Sequence, residues 1–354
     1  MVLPLSIPSP ELQYLQIGPL RIYLYALCII LGIILAGIWT ARRLGQRGGE
    51  RGAVFDFLVW SLVLGIIGAR LYHVVTHWGD YFGDGKNPLE IFAFWNGGIA
   101  IFGALLGGAV GVLVASRITG IRFWSFADAL VPGLLLAQAV GRLGNYFNHE
   151  LFGGPTTLPW GLEIESTNAA FPIGLPEGTL FHPTFLYEAL WNLLGIVVLL
   201  AIEKKWRPRW GSFFALYLIW YGIGRTFTES LRVDPSLLFL GVRTNVLAAV
   251  LAVVFGIVLF FARRWRHVGL ENSVYLPGRR HPGDTVLQDT ANPDEYYHVI
   301  DHGDEAGAPG AEHDELSSDA ADDLVVADVD PAGADPAVAP AAAGTPDAAT
   351  RDNR

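Results

Sequence analysis

Five polar groups crowd into Gly141-Arg142-Leu143-Gly144-Asn145-Tyr146-Phe147-Asn148-His149-Glu150-Leu151-Phe152-Gly153-Gly154, directly after the apolar run from Phe126 to Val140. On a helix, Arg142 and Asn145 lie three residues apart, and Asn148 or His149 continues their face. A guanidinium at membrane depth costs about 2.5–3.5 kcal/mol on insertion scales, so its default reading is functional. An arginine that snorkels at a helix end would account for Arg142 alone. It would not account for two asparagines, a histidine and a glutamate set between glycines.

Tyr221, Arg225, Glu229 and Arg232 share a second helical face,. A self-contained Arg225–Glu229 ion pair is the structural alternative. Beside Arg142 at the same membrane level, the stripe reads as a site. Two guanidiniums with an asparagine and tyrosines suit a phosphate or phosphodiester, which the planar guanidinium binds through paired N–H donors. Arg70, His73 and His77 form a third group. Their spacing puts both imidazoles on one face, but no third ligand follows in a recognisable pattern, so interfacial packing is favoured and no metal is expected. Arg70 is left as a residue that could face lipid phosphate. The glycines of Trp95-Asn96-Gly97-Gly98 and of the following run (Gly103, Gly107, Gly108, Gly111) need no more than close helix packing,. Tyr25 lies in an apolar run where its hydroxyl needs a partner.

The elements that carry these side chains must be membrane helices. Seven runs reach the ~20 residues needed to cross a bilayer: Leu20–Thr40, Ala53–Val75, Gly98–Ser116, Ser125–Phe147, Pro183–Ile202, Gly211–Thr228 and Asn245–Ala262. With 52% hydrophobic and 16% charged residues in 354, the chain fits neither a soluble domain nor a disordered one,. Arginines and lysines fill alternate connections: Arg42, Arg43, Arg47 and Arg51, then Arg117 and Arg122, then Lys204 to Arg209, then Arg263 to Arg266. That alternation predicts an outside N-terminus and a cytoplasmic C-terminus. The only cysteine, Cys28, excludes an intramolecular disulfide and reads as a small buried hydrophobe,. Met1–Pro10 lacks the form of a cleavable signal peptide.

The connection from Asn148 to His182 is the longest between spans, rich in Trp, Phe and Pro, and is expected to act as a cap over the outer end,. Beyond the seventh span the composition turns to Ala, Asp, Pro and Gly. From residue 267 onward nineteen acidic residues face four arginines, a net of −15 against −10 for the whole, which leaves +5 to residues 1–266. The chain therefore divides into a seven-helix membrane body (1–266) and a tail (267–354) expected to be acidic, disordered and cytoplasmic. Nothing supports nucleic-acid binding.

Taken together these residues resemble the bacterial prolipoprotein diacylglyceryl transferase family. Gly141-Arg142-x-Gly144-Asn145-Tyr146-x-Asn148-x-Glu150-x-x-Gly153 is similar to the long signature of that family. His182-Pro183-Thr184-x-x-Tyr187-Glu188 resembles its second block, and Tyr221-x-x-x-Arg225-x-x-x-Glu229-x-x-Arg232 its third. Trp95-x-Gly97-Gly98, and Gly18-Pro19-Leu20 ahead of Tyr25, fit as well, so the resemblance runs from about Ile17 to Ala262. It implies transfer of a diacylglyceryl group from phosphatidylglycerol to the lipobox cysteine of a prolipoprotein signal peptide, with release of glycerol phosphate and no cofactor. It also implies an inner-membrane enzyme with its active site in the outer half of the bilayer.

The implied catalytic residues are Arg142, Arg225, Tyr25, Asn145 and Glu150. Arg142, Asn145, Gly153, Tyr221, Arg225, Glu229 and Arg232 would bind the lipid, with Glu150 holding an arginine or ordering the loop. Many family members carry a histidine in the helix after the Gly-Gly, where this chain has Phe102. The base is then sought in His149 or His182, or the arginine field lowers the thiol pKa instead. Two other classes fit less well. A transporter or channel for an anion would spread polar groups through the membrane depth, and an intramembrane protease would need a Ser/His or paired-Asp constellation that Ser61, Asp56 and Asp128 do not form.

Overall fold

Gly18-Pro19 reverses the chain before the first long helix begins, with Gly18 in the left-handed region at φ +58°,. Strand β1 (Tyr14–Ile17) pairs antiparallel with β2 (Leu20–Tyr23), Ile17 opposite Leu20 and Tyr14 opposite Tyr23. The first helix, α1 (Leu24–Gln46), therefore starts four residues later than expected and runs six residues past Thr40. The computed structural model describes residues 6–82, 85–234, 238–239, 241–267, 271 and 273–279. The expected tail from 280 onward lies outside them.

Six further helices follow: α2 (Ala53–Thr76), α3 (Ile101–Thr119), α4 (Phe123–Phe147), α5 (Thr184–Trp206), α6 (Ser212–Leu231) and α7 (Thr244–Arg266). All seven expected runs are thus helical within a few residues. Six of the seven are long and apolar enough to cross a membrane; α6 is not among them. Its 20 residues span about 30 Å at 1.5 Å per residue,. What lowers its hydropathy is the Tyr221, Arg225 and Glu229 stripe.

Glycines set the closest helix contact. A methyl built on Gly107 of α3 would stand 2.1 Å from the Leu64 carbonyl of α2, and one on Gly111 would stand 2.3 Å from that of Trp60. The two backbones touch there, as small-residue stripes permit in a membrane. Helix α4 occupies the middle: 56% of its apolar window is buried, against at most 33% for the other apolar helices.

At the end of the bundle where α1, α5 and α7 finish, Glu203 accepts from Arg43, Arg47 and Arg209 at 2.8, 3.0 and 3.1 Å. Asp128 of α4 takes the amides of Gly211 and Phe214 at 2.9 and 2.8 Å. It thereby satisfies orphan donors at the start of α6 from a neighbouring helix. Residues 273–279, expected to belong to the disordered tail, pack here. Val274 and Tyr275 are buried against Leu44, Phe57 and Ile121, and Leu276 donates to the Gly120 carbonyl at 2.7 Å. An aliphatic–aromatic pair inside a polar stretch was too short to stand out by composition.

At the other end, the connection from 148 to 182 builds a core of its own. Phe152, Leu162, Ile164, Phe181 and Phe185 are buried together, with Ile7 and Tyr146 against them. Strand β3 (Leu162–Glu163) pairs with β4 (Leu180–Phe181), and Ile7 bonds Gly161 and Glu163 at 2.8 and 2.9 Å. A last hairpin, β5 (Leu238–Phe239) with β6 (Val242–Arg243), leads into α7.

Candidate active site

Four helices bring a chain of charges together at the capped end. Arg142 near the end of α4 donates through Nε to Glu188 Oε2 at 2.6 Å. Glu188, one turn into α5, uses its other oxygen for Arg225 Nη1 of α6 at 3.0 Å. Arg225 Nη2 then reaches Glu229 Oε2 at 2.7 Å. Glu229 is fully buried and also accepts from Arg232 at 3.3 Å, Arg243 at 3.1 Å and Asn245 at 3.0 Å. Arg232 forks onto both oxygens of Asp234 at 2.7 and 2.9 Å, the bidentate geometry for which guanidinium is suited,. Burial works against the charge of Asp234, but the hydrogen bond and charge of Arg232, joined by Arg243, hold its carboxyl below the usual aspartate value.

Between α4, α5 and α6 lies a cavity of about 80 Å³ lined by Arg142, Glu188, Tyr221 and Arg225, with Gln138, Trp191, Asn192 and Gly224. Gln138 donates to the Tyr217 hydroxyl at 2.8 Å, while its buried Oε1 has no hydrogen-bond partner among the described residues. A buried acceptor left unpaired costs about 1–3 kcal/mol, which a ligand hydroxyl would recover. Four guanidiniums (142, 225, 232, 243) meet three carboxylates (188, 229, 234) in the network, an excess of one positive charge. Glu150 lies outside this count, two hydrogen bonds from Arg142 through Asn145.

The expected site residues divide into three groups. Arg142, Arg225 and Tyr221 line the cavity, and Asn145 joins them by accepting from Arg142 Nη1 at 3.2 Å. Glu150 holds no arginine; it accepts from Asn145 at 2.8 Å and Asn148 at 3.5 Å, so it ties the end of α4 to the loop that follows. Tyr25 sits against Gly144, where an added methyl would come within 2.6 Å of its ring. Its hydroxyl makes no hydrogen bond among the described residues.

Glu229 and Arg232 hold the network from behind. Gly153 is a backbone hub: its amide bonds the His182 carbonyl at 2.9 Å, it bridges to Arg232, and a Cβ would meet His182 at 2.7 Å. His149, at φ +52°, has both ring nitrogens engaged, Nδ1 with Glu165 at 3.0 Å and Nε2 with the Pro10 carbonyl at 2.7 Å. It pins the cap. His182 bonds the Tyr187 hydroxyl through Nδ1 at 3.2 Å, and its Nε2 has no partner among the described residues.

Arg70 is spent on backbone rather than lipid. It donates to the carbonyls of Ile91, Gly97 and Gly98 at 2.7, 2.8 and 2.9 Å, and to that of Glu90. His73 and His77 stack at 4.2 Å, and Phe102 packs against Tyr72. Sequence reasoning assigned no role to Glu188, Gln138, Asn192 or Arg243. The first three carried a usable signal, since Gln138–Arg142 and Glu188–Asn192 are each four apart on apolar helices. Arg243, which precedes α7, had no such spacing to mark it.

Fold and site together define a multi-pass membrane protein that gathers arginines and carboxylates around a small polar cavity at one end of its helices. The family model described as prolipoprotein diacylglyceryl transferase matches residues 13–262. A protein of Leifsonia xyli named phosphatidylglycerol–prolipoprotein diacylglyceryl transferase is 55% identical over 315 residues, covering 85% of this chain and 94% of its own. Proteins of the same name from Mycobacteroides abscessus and Paenarthrobacter aurescens are 48% and 44% identical over 250 and 275 residues. They cover 68% and 75% of this chain and 73% and 86% of their own. The chain belongs to the prolipoprotein diacylglyceryl transferase family.

Proposed function

We propose that this chain transfers the diacylglyceryl group of phosphatidylglycerol to the thiol of a lipobox cysteine in a prolipoprotein signal peptide. The sulfur attacks the glyceryl carbon that carries the phosphoester oxygen. The C–O bond breaks, its electron pair stays on the phosphate, and the thiol proton leaves to a base. Products are the thioether and glycerol phosphate, so phosphate charge grows from one to two as the bond breaks. Donors fixed in a water-poor site before that charge develops stabilise the transition state more than the ground state.

The observation that carries this reading is the Arg142–Glu188–Arg225 bridge on the cavity wall, with one positive charge in excess across its network. A phosphodiester monoanion balances that excess, and Arg142 Nη2 is engaged by no other described residue. Asn145 holds Arg142, Tyr221 faces the headgroup, and Gln138 Oε1 accepts a glycerol hydroxyl. Tyr25 packs on α4 at Gly144, while Glu229 and Arg232 with Gly153 keep the helix ends in register. His182 is the better-placed base, because its Nε2 is open where both nitrogens of His149 are taken.

The spacing of basic connections supports seven spans in a bacterial inner membrane, N-terminus outside and acidic tail in the cytoplasm, with α6 crossing among its neighbours and the site in the outer half. A protein purified with phosphatidylglycerol and a lipobox peptide should add a diacylglyceryl mass to the cysteine. Arg142→Ala, shown to be folded, should lose at least about a hundredfold of that rate. If the variant keeps the wild-type rate, the phosphate is not bound at Arg142. If folded wild type adds no mass, the transfer reading is wrong.

A further inference from the structure

A larger cavity, of about 360 Å³, opens at the far end of the bundle, between the last turns of α5 and α7, the α5–α6 turn and the start of α6. Its inner wall is apolar, made by Ile202, Leu216 and Phe260, one to two turns inside their helices. Its mouth is basic, with Arg207, Arg264 and His267, and Trp206 beside them is 66% exposed. Along α5, the nineteen residues from Glu188 to Arg207 rise about 28 Å. That is close to the ~30 Å hydrocarbon thickness, so the two cavities sit at two headgroup levels.

Nearby carboxylates among the described residues have partners of their own. Glu203 is shared by three guanidiniums, both Asp128 oxygens hold backbone amides, and Glu271 accepts from Ser125. Arg264 makes no hydrogen bond or ion pair among the described residues. Burial, and then the charges of Arg263, Arg122 and Arg266, keep the His267 imidazole below its ordinary value against the opposing charge of Glu271. The turn between the helices carries two left-handed residues that are not glycine, Arg207 at φ +43° and Trp210 at φ +62°. Arg263 holds the Trp210 carbonyl at 2.5 Å, and His267 stacks on its ring at 4.5 Å. A costly backbone shape locked by its neighbours is the pattern of a built site.

We propose that this cavity binds an anionic phospholipid of the leaflet opposite the transfer site, its phosphate at Arg264 and an acyl chain along Ile202, Leu216 and Phe260. A soluble phosphate would use the mouth and leave the apolar wall empty. Basic pockets between membrane helices are a recognised place for lipid headgroups.

The test follows lipid addition to the full chain, stripped of lipid in an uncharged detergent, by native mass spectrometry. Dioleoyl phosphatidylglycerol, dioleoyl phosphatidylcholine and inorganic phosphate are the probes. Arg142→Ala should keep one phosphatidylglycerol step that Arg264→Glu weakens by about tenfold or more. Leu216→Trp, which fills the wall without touching a charge, should weaken the same step and keeps the test decisive should Arg264→Glu fail to fold. The proposal is overturned if both variants bind phosphatidylglycerol as wild type does, or if phosphatidylcholine binds equally well. Competition by millimolar inorganic phosphate would make it a soluble-anion site and overturn the lipid assignment. Loss of the other step in Arg142→Ala reads the transfer site alone, so the two readings fail separately.

Discussion

Glu188 spans the gap between two arginines on different helices, and this changes what each of them can do. Held at 2.6 Å through Nε, Arg142 presents a fixed edge to the cavity instead of a mobile cation. Its stiffness costs no reorganisation when charge develops on the phosphate. Gln138 brings to the cavity a buried acceptor that has no partner among the described residues. Gln138→Leu removes it at similar size, and the expected outcome is a KM for phosphatidylglycerol raised up to about tenfold with little change in kcat, the worth of one neutral hydrogen bond. Steady-state rates with varied lipid would show it. A fall in kcat at unchanged KM would instead place Gln138 in the transition state. Glu229 acts by a different route. Glu229→Gln leaves three buried guanidiniums around a neutral amide, and removing one partner of a buried ion pair costs about 3–5 kcal/mol,. The loss should appear as a lower melting temperature in detergent, with activity falling in proportion to the folded fraction.

Helix α6 shows what a single element can combine. Its apolar face packs on α7, its Trp220 ring stacks on Trp191 of α5 at 4.4 Å, and each indole donates to the other residue's carbonyl. The same helix carries the polar stripe, so its low hydropathy is the consequence of holding the site. Helices α2 and α3 are the opposite case, joined by backbone contact along a glycine seam. Gly107→Ala puts a methyl 2.1 Å from the Leu64 carbonyl, a distance that forces the helices apart. The expected cost is about 1–3 kcal/mol in thermal stability, as for other overpacked interfaces. An unchanged melting temperature would mean that the seam opens without penalty.

At the scale of the whole molecule, the bundle is closed by different means at its two ends. One end carries a small aromatic core under the 148–182 connection, tied to α5 and α6 through Gly153 and Gly154. The other is sealed by residues 273–279, whose Val274 and Tyr275 enter the Leu44–Ile121 cluster. A chain ending at residue 279 keeps this segment. A chain ending at residue 272 should be less stable by about 1.5–3 kcal/mol for each of those two side chains. Equal melting temperatures for the two truncations would show that the segment adds nothing.

The amino-acid sequence by itself determined seven helices and three of the blocks that meet at the site, because both signals are local. A run of ~20 apolar residues is visible without knowing its neighbours, and an arginine inside such a run is conspicuous by cost. Which groups pair across helices is not local. Arg142, Glu188 and Arg225 lie tens of residues apart, and only the packing of α4, α5 and α6 puts one carboxylate between two guanidiniums. The same holds for Arg243, which meets Glu229 of α6 only because α7 packs beside that helix. It holds for His149, whose nitrogens are occupied by a carbonyl and a carboxylate from distant segments. Tertiary structure decided these because hydrogen bonds and ion pairs act over a few ångströms of space, whatever the separation along the chain.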